Sequence, residues 1–539
     1  MRLKRNSTKN SEIDSTASSV KSADSFGIFA SACSDCSECE YSAARETHNH
    51  YGNISSSSCT NLSFHSAADR ETHPLLLSPN LTNNNYKSIS SSTDTLGPGE
   101  LSASDIIATY EKTLKKTVIM EKNRQSSLVT IFSVWNTIMG SSLLTMAWGV
   151  ERAGLPAALF LIIFMAALCL YTAYVLLRVN YHHGTETCEV PALCRLLLGA
   201  GTAAVAHAFS LMVLLGANVL YWLLISNFLY YTVNYLMELS SPNSTAINAT
   251  VLCPAQDALI TPSTPLAAPS PYWGLHTTVP FYVAIIVFPL LNFTKVSFFT
   301  KFNSLGTLSV FYLIIFIIVK GWMWGINMGA LTDGVHGGSD AAVLSGMLAL
   351  SFYIHNIIIT IMSNNARQEK NGRDLSIAFL LVTVTYALVG VVFYICFPLA
   401  KSCIEDNLLN NFEMHDVMTA IARALLLFQV ITVYPLVVFM IRCEAAQLCA
   451  RAAARGPGLA INLAVVALSI LVACLCPNIG TIIRYTGAIS GLVHVFALPS
   501  LLQMRSLHLR GKLTVWKVLF YSAIIVFGTV NLVMQFFIA

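Results

Sequence analysis

SLVTIFSVWNTIMGSSLLTMAWG, residues 127–149, decides the fold. The stretch carries no charge and is long enough to cross a bilayer, since a spanning helix needs roughly 20 apolar residues. Its middle, Asn136-Thr137-Ile138-Met139-Gly140-Ser141-Ser142, does not suit an unbroken helix. Glycine weakens a helix interior, and Ser and Thr offer the backbone competing hydrogen bonds. Backbone that unwinds at membrane depth must be buried in protein or line a cavity. A polar, Gly-centred interruption therefore points to a small-molecule site. Freed amides and the half-helix N-terminus would hold a carboxylate, and freed carbonyls would hold an amine or Na⁺. The competing reading is a small-residue face for helix packing.

Composition extends this reading to the whole chain. The hydrophobic fraction is 55%, the charged fraction 11% and the mean hydropathy +0.61. The apolar excess begins near residue 125, so residues 125–539 form one polytopic membrane domain behind a polar tail, residues 1–124. A soluble multi-domain enzyme is excluded. A net charge of +4 is modest and does not point to nucleic acid. The basic opening MRLKRNSTKNSE has no apolar stretch after it, so no cleavable signal peptide is expected and the first span targets the chain.

The tail is rich in Ser, Thr and Asn and buries too little to offset chain entropy, so it is read as disordered. Cys33, Cys36 and Cys39 lack an obvious fourth ligand and are read as reduced cytosolic thiols. Glu71-Thr-His-Pro-Leu75-Leu76 matches an acidic dileucine sorting signal, a pointer to endosomes or lysosomes. Residues 105–124 alternate charged and apolar positions and suit a surface helix or a segment folding into the mouth of the membrane domain.

Further apolar runs follow the first, near 154–177, 203–237, 279–299, 304–324, 341–362, 375–398, 417–441, 460–476, 481–504 and 513–538, for eleven spans in all. Lys and Arg fix their orientation. Arg178, Arg195, Lys295, Lys301, Arg367, Lys370, Arg373, Arg442, Arg451, Arg455, Arg505, Arg510 and Lys512 fall on one side, whereas loops 238–278, 325–340 and 477–480 carry none and 399–416 has only Lys401. The N-terminus is therefore expected in the cytosol and the C-terminus in the lumen or outside. Sequons at Asn243 and Asn248 fall on the non-cytosolic side, as do Cys253 and Cys403, where an oxidising compartment would let them pair. Cys396 and Cys476 are alternative partners near the same edge.

The sixth span, residues 341–362, holds His355 and Asn356 well inside. Ionisable groups at that depth are costly and usually face a cavity. They mark either a second discontinuous helix with a gate or proton-linked group, or a neutral histidine bonded to a nearby carbonyl. Five helices from break to break is the spacing of a five-plus-five inverted repeat. In the eighth span, Thr432 offers a hydroxyl to Na⁺, a hard cation that prefers oxygen, or bonds back to its own helix.

WNTIMGSSLLTMAWG, SFFTKFNSLGTLSVFYLI, FYIHNIIITIMSNNARQEKNGRDL, CIEDNLLNNF, FQVITVYPLV and CPNIGTIIRYTGAISG resemble, in that order, the sodium-coupled neutral amino acid transporter family (solute carrier family 38), and within it the lysosomal arginine-sensing branch. The resemblance spans nearly all of residues 127–539. It implies an all-α membrane fold of eleven helices, a LeuT-type five-plus-five inverted repeat plus one C-terminal helix, and carriage of amino acids out of the lysosome. It places arginine at the unwound first helix, here Thr137, Ile138, Met139, Gly140, Ser141 and Ser142; the polar interruption of the sixth span adds His355 and Asn356 as candidate substrate-binding residues. It places Na⁺ at Asn136 and, within one residue, Thr432, and a disulfide between Cys253 and Cys403. Ser141 stands where the branch is expected to carry Thr, which keeps the hydroxyl and loses a methyl. The branch docks its tail on Rag GTPases and Ragulator. The tail here does not match, and its nearest echo is Tyr86-Lys-Ser-Ile89 before LGPGEL.

The expected function is a lysosomal Na⁺-coupled transporter that binds arginine, exports amino acids and signals arginine sufficiency to the target-of-rapamycin complex. A proton-coupled carrier using His355 and an arginine receptor without turnover are the rivals. No nucleophile–base set is visible in the spans, so an enzyme is not expected, and no acidic residue lies inside an expected span to pair a guanidinium.

Overall fold

A computed structural model describes residues 125–184, 189–239, 251–253, 272–292, 306–327, 340–448 and 457–537. The expected tail, with Glu71, Leu75, Leu76, Tyr86 and Ile89, lies outside the described residues, as do the sequons at Asn243 and Asn248. The described residues are helical throughout: α1 Ser127–Ile138, α2 Ser142–Ala153, α3 Leu155–His183, α4 Val190–Leu197, α5 Ala200–Leu239, α6 Val279–Leu291, α7 Gly306–Trp324, α8 Ala341–Ser351, α9 Ile358–Ser363, α10 Asn371–Cys396, α11 Val417–Leu448, α12 Pro457–Leu475, α13 Ile479–Ser490, α14 Leu498–Leu509 and α15 Val515–Phe537. A π-helical segment, Gly491–Ala497, joins α13 to α14. Among the described residues no strand forms, only isolated bridges.

Eight of these helices, counting α13 to α14 as one, are long and apolar enough to cross a membrane, and α1 with α2 form one further bent span. The two remaining expected spans correspond to the shorter apolar helices α6 and α8. The surface is inverted relative to a water-soluble protein. Phe160, Ile163, Leu380 and Trp322 point outward, the last 89% exposed, while Asn218, Ser469, Asn531 and Gln535 are buried. Inside, these polar groups meet: Asn218 Nδ2 donates to Ser469 Oγ at 2.7 Å and Ser345 Oγ to Asn531 Oδ1 at 2.6 Å. Outward apolar side chains with inward polar pairing are what hydrocarbon solvent demands. The chain is an all-α, multi-pass membrane protein.

Local sequence sets the helix ends. Ser126 caps α1 by accepting from Val129 N. Gly154, at φ +76°, turns the chain from α2 into α3, a conformation that glycine adopts without strain. Pro156 then sits in the first turn of α3, where its missing N–H costs nothing.

The two interrupted spans are the first and the sixth in order, which is the five-helix spacing read from the sequence. They are tied at one end: Gln125 N donates to Asn364 O at 2.7 Å and Ala366 N returns a bond to Gln125 O at 2.8 Å. Around them, α5 with α11 and α8 with α13 make the most extensive helix pairs, and α10 runs against both α1 and α2. The α8–α13 approach depends on glycine. A Cβ at Gly487 would collide with the Gly346 carbonyl oxygen, and a Cβ at Gly346 would come within 3.0 Å of Arg484 O. Gly487→Ala is therefore expected to destabilise the bundle by about 1–3 kcal/mol, the usual cost of overpacking. A thermal melt of the purified variant, or loss of its monodisperse gel-filtration peak, checks this. An unshifted melt would mean that α8 and α13 can separate freely.

At another edge Cys253 and Cys403 are joined by a disulfide with Cα atoms 4.9 Å apart, and Cys396 and Cys476 are free thiols. Asn411 braces this junction, donating through Nδ2 to Cys403 O at 2.6 Å and accepting at its carbonyl from Leu252 N at 2.9 Å. The buried Arg423 donates to Leu409 O and Phe412 O at 2.8 and 3.1 Å.

Candidate functional site

The α1 helix ends where the sequence turns polar. Met139 N makes the last helical bond, to Trp135 O, and Met139 itself is extended, at φ −68° and ψ 99°. The chain resumes as α2 at Ser142, bent by 62° from α1. Only two amides at the start of α2 turn back, Leu143 N to Gly140 O at 3.2 Å and Leu144 N to Ser141 O at 3.1 Å. The amides of Gly140, Ser141 and Ser142 have no preceding helical carbonyl to bond, the ordinary condition of a helix N-terminus. They carry its partial positive charge.

This break opens on a cavity holding about 740 Å³ of empty space, its mouth included. Asn136, Thr137, Met139, Gly140 and Ser141 form one wall. Tyr221, Leu224 and Phe228 from α5, Val310 and Leu313 from α7, and Leu426, Gln429, Val430 and Val433 from α11 form the others. Asn136 Oδ1 accepts from Thr307 Oγ1 at 3.0 Å, and Thr137 Oγ1 bonds back to Ser133 O at 2.8 Å. Gln429 Oε1 is buried and makes no hydrogen bond among the described residues, so one strong acceptor stands uncommitted in the cavity wall.

Ile138 and Ser142 turn away from the cavity toward Tyr386, a fully buried residue of α10. Tyr386 Oη lies 3.1 Å from Ile138 O and 2.9 Å from Ser351 O, and the Ser142 hydroxyl faces the same phenol. Ser351 is the last residue of α8. One phenol thus serves the carbonyl at each break and holds the two interruptions together.

The sixth-span break runs from Phe352 to Ile357, between α8 and α9. His355 and Asn356 lie inside it as expected, but they do not line the first cavity. His355 is fully buried, with Nε2 2.9 Å from Thr172 Oγ1. Thr172 Oγ1 already donates to Leu168 O and Cys169 O, so it accepts from the imidazole and fixes the Nε2–H tautomer. The bond is to a hydroxyl rather than to a carbonyl, and Nδ1 makes no hydrogen bond among the described residues. Asn356 borders a second cavity.

The two residues expected at Na⁺ have different settings. Asn136 lines the first cavity, but Thr432 Oγ1 donates to Gln429 O at 2.8 Å along its own helix and does not line it. The register of α11 presents Gln429 instead, three residues earlier in the same run. Sequence reading missed Tyr386, Gln429 and Tyr221. It also ended the eighth span at Ile441, whereas α11 runs to Leu448 and so places an acidic residue, Glu444, inside the helix.

A bundle of apolar helices with two discontinuous spans, one of them opening on a mid-helix cavity with free amides, defines a carrier of small zwitterionic solutes. Residues 123–539 match the family described as transmembrane amino acid transporter protein, and the chain belongs to that family. As a member it is a transporter and not an enzyme. It is 39% identical over 456 residues to the sodium-coupled neutral amino acid transporter 9 homolog of Caenorhabditis elegans, covering 77% of this chain and 74% of the relative. Identity is likewise 39% over 450 residues with neutral amino acid transporter 9 of Danio rerio, covering 77% and 81%. With human solute carrier family 38 member 8 it falls to 23% over 398 residues, covering 70% and 84%.

Proposed function

We propose that this amino acid transporter is lysosomal and Na⁺-coupled, binds arginine at the break between α1 and α2, exports amino acids from the lumen and reports arginine sufficiency to the target-of-rapamycin complex. The observation that carries the binding reading is the placement of Gly140 and Ser141, at the N-terminus of α2, on the wall of a cavity at the break. The α-carboxylate meets the N-terminal amides of α2. The buried Gln429 Oε1 accepts from the α-ammonium or the guanidinium, and Asn136 supplies an oxygen to Na⁺. The cavity lining has no Asp or Glu, so the guanidinium is recognised there by neutral acceptors.

Coupling to Na⁺ is supported by the similarity to the nematode relative, a sodium-coupled transporter homolog. His355 is disfavoured as a proton carrier, since that ring is tied to Thr172 outside the first cavity. Labelled-arginine uptake into proteoliposomes separates the readings. Stimulation by a Na⁺ gradient at constant pH is expected. Stimulation by a pH gradient alone would favour the proton carrier, and saturable binding without uptake would make the protein a receptor.

The orientation has its own test. Glycans are expected on Asn243 or Asn248 and on none of Asn6, Asn53, Asn61 and Asn80, with Cys253 and Cys403 recovered as a bridged pair in non-reducing peptide maps. A glycan on a tail sequon would reverse every loop assignment.

Sorting and signalling are carried by the tail and are separable. Leu75→Ala with Leu76→Ala is expected to move the protein from lysosomes to the cell surface. Deletion of residues 86–101, which contain Tyr86 and Ile89, is expected to leave it in lysosomes and abolish co-purification with Rag GTPases and Ragulator. A short linear segment draws its contact energy from such few apolar side chains. Undiminished Rag binding by the deletion would make this stretch a spacer.

A further inference from the structure

A second cavity lies among α4, α5, α9, α11 and the π-helical segment, apart from the break between α1 and α2. Its wall is acidic. Glu189, at the start of α4, and Glu444, on α11, both line it. Glu444 is held in place from α5: His207 Nδ1 lies 2.8 Å from its Oε2, and Ser210 Oγ donates to its Oε1 at 3.0 Å. Glu189 is in no ion pair among the described residues. Burial and the facing Glu444 carboxylate push its carboxyl above the usual range. Two carboxylates around one buried space repel each other, and a bound cation relieves that repulsion.

A separate observation points to a ligand. His494 also lines this cavity, is 1% exposed, and makes no hydrogen bond through either ring nitrogen among the described residues, the Ala206 carbonyl facing it outside hydrogen-bond geometry. A buried imidazole with both nitrogens unpaired is costly. Its ring is fixed, with Tyr353 edge-on at 5.8 Å, and it sits in the π-helical segment Gly491–Ala497. Single π-helical turns inside α-helices are frequent at functional sites. Asn356, in the sixth-span break, adds an amide to the same wall and links this cavity to the discontinuous helix.

We propose that the second cavity is a binding subsite for an organic cation, a guanidinium or ammonium head held by Glu189 and Glu444 with His494 and Asn356 completing its hydrogen bonds. A guanidinium carries five N–H donors in a planar fork and finds here the carboxylate acceptors that the first cavity lacks. Among the described residues no three His, Cys, Asp or Glu side chains converge as metal ligands, which favours an organic cation over a divalent metal. The physiological source, resting on the transport reading above, is the side chain of a basic amino acid passing between the first cavity and the α11 end of the bundle. The binding chemistry itself does not depend on that reading.

Agmatine separates the two cavities, because it keeps the guanidinium and an ammonium but has no carboxylate for the amides of α2. Labelled agmatine is titrated onto the full-length protein in nanodiscs, in wild type and in a Gly140→Val background where a side chain fills the first cavity. Saturable binding is expected in both, weakened at least tenfold by Glu189→Gln with Glu444→Gln, substitutions that remove both negative charges and keep the side-chain size. If the double variant does not elute as a folded monomer, Glu189→Gln alone is judged by the same tenfold criterion. Absence of saturable agmatine binding to wild type, its loss on Gly140→Val alone, or unchanged affinity in the Gln variants would overturn the assignment. Agmatine binding without arginine transport would instead refute the transport reading and leave this subsite standing.

Discussion

Gly140→Val is expected to abolish arginine binding and transport, by about 100-fold or more, in a protein that folds and reaches its membrane normally. The geometry separates these two outcomes. A Cβ built on Gly140 meets nothing nearer than Ile138 O, at 4.0 Å, so the backbone there accepts a Cβ without a clash. Gly140 is instead part of the cavity wall, and the valyl group projects into the space where a carboxylate would approach the amides of α2. Misplacement of an oriented group by 1 Å can cost about 100-fold in an enzyme's rate, and a group excluded from its binding amides loses at least as much. Equal melting temperatures with equilibrium binding lost by scintillation proximity would fit this account. Arginine binding at wild-type affinity would remove the break from the ligand site.

Tyr386→Phe is expected to have the second-largest effect, through a different route. The ring contacts survive, including the edge-on packing with Phe352 at 5.5 Å between centroids. What is lost is the one hydroxyl that serves Ile138 O and Ser351 O. Leaving buried carbonyls without their donor costs about 1–3 kcal/mol, and since each 1.4 kcal/mol is tenfold in an equilibrium, the joined breaks should separate by a comparable factor. Uptake is expected to fall at least tenfold, with a lowered melting temperature and with the α1–α2 and α8–α9 amides exchanging faster with deuterium. A Tyr386→Phe protein that transports like wild type would mean that the two interruptions are positioned independently.

The first break was legible because Asn136 to Ser142 puts glycine and hydroxyls at mid-span, where hydrocarbon leaves few alternatives. The sixth was legible for the same reason at His355 and Asn356. The role of His355 was not, because a histidine's partner comes from another helix, here Thr172 on α3, and nothing local predicts it. Tyr386 was hidden in TVTYALVG, where an aromatic among apolar residues looks like any lipid-facing or packed side chain. Gln429 and Thr432 lie in one run three residues apart, and only the register of α11 against α1 and α7 tells which reaches the cavity. Glu444 was missed because Arg442 read as the start of a loop, whereas the helix continues to Leu448. The π-helical turn around His494 has no hydropathy signature, since a change from i→i+4 to i→i+5 bonding leaves apolar composition untouched.

The most direct measurement of whether the break between α1 and α2 holds the substrate is ligand protection at Ser141. Ser141→Cys places a thiol on the cavity wall, on a residue that is partly exposed and not inside either helix. Its alkylation by a small methanethiosulfonate reagent can be followed by mass spectrometry of the peptide spanning residues 125–152. With arginine and Na⁺ present, labelling should slow at least tenfold at saturating arginine and recover on its removal, while the exposed Cys476, beyond the end of α12, labels at an unchanged rate. Labelling of the introduced thiol at the same rate with and without arginine, in a variant that still transports it, would contradict the assignment of this break as the amino acid site.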